Sequence, residues 1–122
     1  MASSRYFLKV GEIKGEATEP AHRSWIEVTG VFNRIEGRWT LVSLSKDTDN
    51  ASPGLHVMAT TGKPAPAILD YVKDGGVFLR LEMSVALVTA IQHSSTGKYP
   101  QDHLTLQSEK VVWTKTPGTP PP

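Results

Sequence analysis

Hydrophobic and polar residues alternate along several short stretches of the chain, which is the pattern of half-buried β-strands. Four such stretches are Arg5–Val10, Ser24–Phe32, Trp39–Leu44 and Ala67–Lys73. The spacing of the second and third predicts a hairpin with its turn at Asn33–Gly37. Gly11–Arg23 is polar and contains glycines and a proline, so we expect a long loop there.

The stretch Val77–Gln92 fits two periodicities, and they have to be weighed against each other. A helical interpretation places Leu79, Met83 and Ala86 on one stripe, but leaves Leu81, Val85 and Val88 off it. Alternation places every odd-numbered residue from Val77 to Ile91 on one face, so we predict a strand. Since strands usually have about 3–10 residues, we expect a bend or bulge near Ser84–Ala86 that lets this strand serve two sheets.

One short helix is predicted after Asp49. Ser52 is a suitable N-cap, and Pro53 at the first helical position loses nothing by lacking an amide hydrogen. An apolar stripe follows at helical spacing, formed by Leu55, Met58 and Ala59. Gly62 is placed to end the helix in a left-handed conformation.

The C-terminal part of the chain predicts a last strand, His103–Thr116, with a bulge where the apolar phase shifts between Leu104/Leu106 and Val111/Trp113. Asp74-Gly75-Gly76 predicts a tight turn, and Ser94–Pro100 a loop. We expect residues 1–117 to form a single domain and the proline-rich residues 118–122 to form a tail.

Composition limits the function. Thirteen Lys and Arg against twelve Asp and Glu give a net charge of +1, which does not favour binding to nucleic acid or to an anionic membrane. There is no cysteine, which excludes disulfides and thiol catalysis. No signal peptide and no run of about 20 apolar residues is present. We therefore expect a cytoplasmic protein which, if exported, uses a route that reads no cleavable leader.

Catalytic patterns are weak. Neither GxGxxG nor GxSxG occurs, and the four histidines, at positions 22, 56, 93 and 103, lack metal-ligand spacing. Turn formation accounts for most carboxylates near the predicted loops. We therefore expect no enzyme, no cofactor and no metal.

Three tryptophans, Trp25, Trp39 and Trp113, lie among alternating apolar residues, which favours core packing for most of them. Aromatic residues are also enriched at subunit interfaces. Trp39, at the start of a strand, is the better interface candidate, and Arg80 and Glu82 on the polar face of the long strand are further candidates.

Three groups of residues, in this order, resemble the Hcp family (haemolysin-coregulated proteins), the tube subunits of bacterial type VI secretion. The first group is Phe7-Leu8-Lys9-Val10, Ile13, Gly15-Glu16-Ala17 and Trp25-Ile26-Glu27-Val28; the second is Ser52-Pro53-Gly54-Leu55, Ala59 and Gly62-Lys63; the third is Leu104–Pro117. The motif positions that we single out are Lys9, Gly15, Glu16, Pro53, Leu55, Gly62, Lys63, Lys110 and Trp113.

The resemblance implies a mainly β fold in which two packed, mostly antiparallel sheets form a small β-barrel with one short α-helix on its side. It further implies a homo-oligomer, a hexameric ring that stacks into an exported tube and carries effectors, with other type VI secretion components as partners. It implies no catalysis.

One departure opens an alternative. Family members usually carry a long extension between the second and third strands, and here that stretch shrinks to Asn33–Gly37. The alternative is a monomeric or non-stacking relative of the tube subunit that acts as an effector chaperone or adaptor.

Overall fold

A computed structural model describes residues 4–73, 76–95 and 100–115 of the 122-residue chain. The elements are β1 Ser4–Val10, a 3-10 turn Pro20–His22, β2 Ile26–Val28, β3 Gly30–Glu36, β4 Trp39–Asp47, α1 Ser52–Thr61, β5 Ala65–Lys73, β6 Gly76–Ser94, β7 Gln101–Ser108 and β8 Val111–Lys115. The mainly β prediction with one short helix is confirmed. Among the described residues, no helix is long and apolar enough to span a membrane.

All eight strands belong to one connected sheet with the order β2-β1-β5-β6-β7-β4-β3, and β8 pairs with β6. Every pairing is antiparallel. We call β2, β1, β5, β8 and the start of β6 the first half-sheet, and the end of β6 with β7, β4 and β3 the second half-sheet. Buried apolar residues of both, such as Leu8, Leu69, Val42 and Leu104, share one core cluster.

The long strand β6 joins the two half-sheets, as its length predicted. Its first part pairs with β5 and β8, and its last part, from Leu87, pairs with β7. Between the pairs Ala65↔Ala86 and Ala67↔Met83 the register shifts by one residue, which is the expected bulge. The bulge redirects β6, so its inward-facing residues can continue from one half-sheet to the other.

Several predicted boundaries were wrong. The single strand Ser24–Phe32 is divided at Thr29, where the chain leaves β2 and begins β3. Asn33–Gly37 is not a turn, because β3 continues to Glu36 and the chain reverses at Gly37 and Arg38. Within residues 30–39 of this hairpin only Gly37 has a positive φ, of 62°, so the polar residues before it can remain in the strand.

The last predicted strand and the helix start also differ from expectation. Instead of one bulged strand there are two, because Glu109 and Lys110 separate β7 from β8. Ala51, not Ser52, occupies the N-cap position, and it makes no side-chain capping bond. Gly62 ends α1 as predicted, with φ 68° and its amide donating to the Met58 carbonyl. The predicted turn at residues 74–75, most of the 94–100 loop and the 118–122 tail lie outside the described residues.

Candidate functional site

The motif glycines and the helix residues among the predicted positions have structural roles. Gly15 lies so close to the 25–26 backbone that a Cβ atom there would be 2.4 Å from the Trp25 carbonyl oxygen. Pro53 lies in the first turn of α1, and Leu55 anchors the helix in the core with no exposed surface. These residues therefore stabilise the fold, and their contacts do not indicate a catalytic role.

The charged motif residues are on the surface. Glu16 accepts a hydrogen bond from the amide of Asn50 at 2.8 Å, which connects the 11–25 loop to the segment before α1. Lys9, Lys63 and Lys110 are exposed. Trp113, in contrast to the core packing favoured for most tryptophans, is 44% exposed at the edge of the first half-sheet.

The three predicted interface residues do not form one patch. Trp39 is half-buried opposite Glu36 in the second half-sheet. Arg80 and Glu82 lie together on the outer face of the first half-sheet, where Arg80 binds the buried Asp70 carboxylate at 2.6 and 2.7 Å. This hydrogen bonding raises the pKa of Arg80. Their contact with another subunit stays a prediction.

A buried polar cluster around Lys46 was missed by the sequence analysis. The Lys46 ammonium has no exposed surface and donates to Asp49 Oδ1 at 2.7 Å, Ser52 Oγ at 3.1 Å and Asp102 Oδ2 at 3.1 Å. Ser52 Oγ also donates to Asp102. Asp102 Oδ1 faces Nδ1 of His93 at 2.9 Å. The period-two pattern of Val42, Leu44 and Lys46 on one face of β4 was the available signal.

The Lys46 cluster holds the helix on the second half-sheet. It joins β4, the start of α1 and β7. Ser52 in α1 and Asp102 in β7 are 50 positions apart in the sequence. Ser52 and His93 both bind Asp102 and not each other, so the arrangement lacks the Ser–His contact of a nucleophilic triad. Within the described ranges no group of three or more His, Cys, Asp or Glu is arranged to hold a metal.

Acid should weaken the fold through Asp102. Burial alone would raise the pKa of this carboxyl. Hydrogen bonds from Ser52, His93 and Lys46 lower the pKa by more than burial raises it, so the net result is a pKa of about 2 instead of 3.8. Because the folded-state pKa is the lower one, the stabilisation is complete above about pH 4 and is lost as the pH falls towards about 2. Urea unfolding from pH 6 to pH 2 should show a loss of roughly 2 kcal/mol from this carboxyl.

The matched variant for this pH prediction is Asp102→Asn, which cannot titrate. We expect it to be less stable at pH 6, with a shallower decline between pH 4 and pH 2. An identical decline in Asp102→Asn and the unmodified chain would show that other carboxyls cause the acid sensitivity.

A second buried cluster fastens the 11–25 loop to the outer face of the first half-sheet. His22, only 2% exposed, places Nδ1 2.5 Å from Glu19 and Nε2 2.7 Å from Asp70. The contact with His22 lowers the pKa of Glu19. The ring also stacks on Phe7 at 4.6 Å, so the loop covers an apolar residue that would otherwise face solvent.

The described part of the chain also has strand edges without a pairing partner, and these could contact other chains. Within the described residues, β3 pairs only with β4, and β6 beyond Ala86 pairs only with β7. Phe32 and Ile35 on β3 are 65% and 73% exposed. Between these two edges the outer face of the second half-sheet forms a groove of about 690 Å³, lined by polar residues such as Ser43, Ser45 and Thr105 together with apolar ones such as Phe32 and Ile91.

Comparison with known proteins identifies the family. A family model described as the type VI secretion system effector Hcp matches residues 7–114. Among solved structures, Hcp1 from Salmonella typhimurium is 24% identical, with a TM-score of 0.86 over 95% of this chain and 90% of that one. Hcp1 from E. coli is 19% identical, with a TM-score of 0.83 over 95% and 94% of the two chains.

A third structure, the secreted protein Hcp3 from Pseudomonas aeruginosa, is 14% identical, with a TM-score of 0.77 over 93% of this chain and 91% of that one. At these identities the likeness establishes the fold. None of the curated proteins compared with the sequence is a significant match. The family model covers nearly all the described residues, and the resemblance of the three residue groups is confirmed. The chain therefore belongs to the Hcp family of type VI secretion proteins, whose members are structural tube proteins and not enzymes.

Proposed function

We propose that this chain forms hexameric rings of the type VI secretion tube, which are exported and carry effectors. Proteins of this family form hexameric rings in type VI secretion. The observation that carries the proposal here is that, in the described part of the chain, two strand edges are unpaired, β3 and the end of β6, on opposite sides of the second half-sheet. Unpaired edges with exposed apolar residues favour pairing with another chain.

Strand directions are compatible with a closed ring made through these edges. A cyclic ring needs two different complementary surfaces on each subunit. Because all pairings within the half-sheet are antiparallel and it contains four strands, β3 and β6 run in opposite directions. The β3 edge of one subunit can therefore pair with the β6 edge of the next as a further antiparallel step, and the alternation continues through all subunits.

In the proposed ring the groove on the outer face of the second half-sheet lines the lumen. The core face of the second half-sheet is covered by the first half-sheet and by α1, so in a ring closed through β3 and β6 its outer face is the one that can line the lumen. The groove presents Ser43, Ser45 and Thr105, whose hydroxyls can hydrogen-bond varied polar groups, and the aromatic ring of Phe32. Effectors carried in the ring would contact this surface.

We also propose that the single subunit closes into a barrel. Only Thr29 separates β2 from β3, the two ends of the strand order, and its amide and hydroxyl both donate to the Ser45 carbonyl, at 2.7 and 3.0 Å. Farther along β3, the Asn33 amide donates to the Tyr71 hydroxyl of β5 at 3.2 Å. The Thr29 bonds hold the β2–β3 corner on β4, and the Asn33 bond joins β3 to the first half-sheet through side chains, so the backbone edge of β3 remains available to a neighbouring subunit. These contacts support the division into one domain over residues 1–117.

Engineered cysteines test the ring directly, because the chain has no cysteine of its own. We expect Arg34→Cys combined with Ala90→Cys, or with Gln92→Cys two residues along, to give a disulfide ladder that ends at six subunits on non-reducing gels. Within one subunit β4 and β7 separate the two positions, a distance of about 14 Å. Cα atoms more than about 7 Å apart cannot form a disulfide, so any cross-link joins different subunits.

Arg34→Cys with Thr60→Cys is the matched control, since Thr60 is equally exposed but lies on α1. We expect no ladder from it. Equal ladders from both pairs, or none from either while native mass spectrometry shows hexamers, would contradict the β3–β6 junction. A monomer at every concentration would contradict ring formation itself.

The short hairpin supports a second candidate, an effector chaperone or adaptor that does not build tubes. Between β3 and β4 only Gly37 and Arg38 remain, so nothing in this hairpin extends towards a neighbouring ring. Native mass spectrometry over a concentration series separates the candidates, because the adaptor would remain a monomer or an unstacked ring. Export through type VI secretion is proposed for both.

A further inference from the structure

Among the described residues, strand β8 is paired along one side only, and its other side has the form of a site for an additional strand. β8 pairs with β6 from Leu79↔Lys115 to Met83↔Val111. On the opposite side, β4 covers β7 only as far as the pair Thr40↔Ser108.

The short β3–β4 hairpin is what leaves this position open. β4 begins at Trp39, and the chain reverses at Gly37 and Arg38, level with the start of β8. At the end of the hairpin, Arg38 Nη1 lies 3.4 Å from Glu109 Oε2, just before β8 begins. Beyond it, no described strand lies on the free side of β8, and its backbone groups on that side can hydrogen-bond an incoming strand.

The exposed side chains of β8 make the edge apolar in its centre. Val112 is 58% exposed opposite Glu82, and Trp113 is 44% exposed opposite Leu81. Trp113 therefore continues the core-facing row, while Val112 lies on the outer face. An added strand with alternating side chains would cover the indole on one face and Val112 on the other.

The charged residues at the two ends of the edge are both cationic. Lys110 precedes β8 and Lys115 ends it, and both side chains are exposed. Among the described residues, neither ammonium forms a salt bridge. The carboxylate next to Lys110 in the sequence, Glu109, is paired with Arg38 instead. The edge thus presents positive charge, aromatic and aliphatic surface, then positive charge again.

We propose that the free edge of β8 binds, by strand addition, an extended segment of a partner protein with apolar residues between two acidic ones. Acidic residues at both ends of the segment would face Lys110 and Lys115. Antiparallel pairing with β8 of a second copy would instead bring Lys110 of one chain close to Lys115 of the other at each end, which is unfavourable. Residues 116–122 of the chain itself include four prolines, which cannot donate to a ladder.

Binding can be tested with a fluorescein-labelled peptide, Glu-Thr-Val-Thr-Val-Glu, which places valine opposite Trp113 and glutamates opposite the two lysines in an antiparallel pairing. The 122-residue chain is titrated at low salt by fluorescence anisotropy, and backbone amide shifts are followed by NMR. We expect saturable binding with the largest shifts over residues 110–115. The double variant Lys110→Glu/Lys115→Glu should weaken binding about tenfold, because two favourable pairs become repulsive.

Two controls make the result specific. The peptide Lys-Thr-Val-Thr-Val-Lys should prefer the charge-reversed variant over the unmodified chain, and an N-methylated acidic peptide should bind neither. Retained binding of the N-methylated peptide would exclude strand addition. Amide shifts centred on β3, or no binding at millimolar peptide, would overturn the proposal whether or not the protein forms rings.

Discussion

Replacing Lys46 with methionine is expected to lower the free energy of unfolding by about 3–5 kcal/mol. Methionine fills nearly the same volume but removes the ammonium that donates to Asp49, Ser52 and Asp102. The Asp102 carboxylate has no exposed surface, so it would remain buried with its charge only partly compensated. Urea unfolding at pH 7 measures the loss.

Lys63→Met is the matched control for the change at Lys46, because Lys63 is exposed just after α1. We expect this control to change stability by less than about 0.5 kcal/mol. Adding Asp102→Asn to Lys46→Met should recover part of the loss, since a neutral amide needs no counter-charge. If Lys46→Met were as mild as Lys63→Met, the Lys46 cluster would not be what holds α1 to the second half-sheet.

Replacing Gly15 with alanine is expected to lower the free energy of unfolding by about 3 kcal/mol. The added methyl group would lie 2.4 Å from the Trp25 oxygen and 2.7 Å from the Ile26 Cα. Both are backbone atoms, so a side-chain rotation cannot relieve the contact. The backbone would have to move apart to make room for the methyl group. This movement would also disturb the hydrogen bonds from Gly15 N to the Ser24 oxygen and from Ala17 N to the Trp25 oxygen, at 2.8 and 3.0 Å.

Gly76→Ala provides the comparison for Gly15→Ala. A Cβ at Gly76 has no atom within 4 Å, so the same change should be nearly neutral there. Thermal unfolding of the two variants should differ by several degrees in Tm. Equal Tm values would mean that the 11–25 loop moves away without cost, and the role of Gly15 in packing would be wrong.

Local chemistry made several elements predictable from the sequence. Alternation over Val77–Gln92 was sufficient to identify the long strand, and its excess length indicated the bulge before Ala86. Gly62 ended the helix because few other residues adopt φ 68° without strain. The ordered motif residues identified the family, which the match over residues 7–114 confirmed.

Polar residues in the hairpin misled the sequence analysis. Asn33 and the following Gly37 are typical of turns, and Arg34 and Glu36 are polar, but residues 33–36 belong to a strand that is largely exposed to solvent. Asn33 is held by the Tyr71 hydroxyl of β5, a partner 38 residues away. Ser52 had the chemistry of a helix cap but serves the Lys46 cluster instead. In each case a distant contact outweighed the local preference.

The sequence by itself determined the strand and helix types, the family and the weakness of any catalytic pattern, because these depend on periodicity and on residues close together in the chain. Only the tertiary structure decided which polar residues are buried and which edges stay open. Lys46 and Asp102 are 56 positions apart, and their burial is tolerable only because the fold brings them together. Likewise, among the described residues the second edge of β8 is open only because the β3–β4 hairpin ends at Gly37 and Arg38, and no residue of β8 itself indicates this.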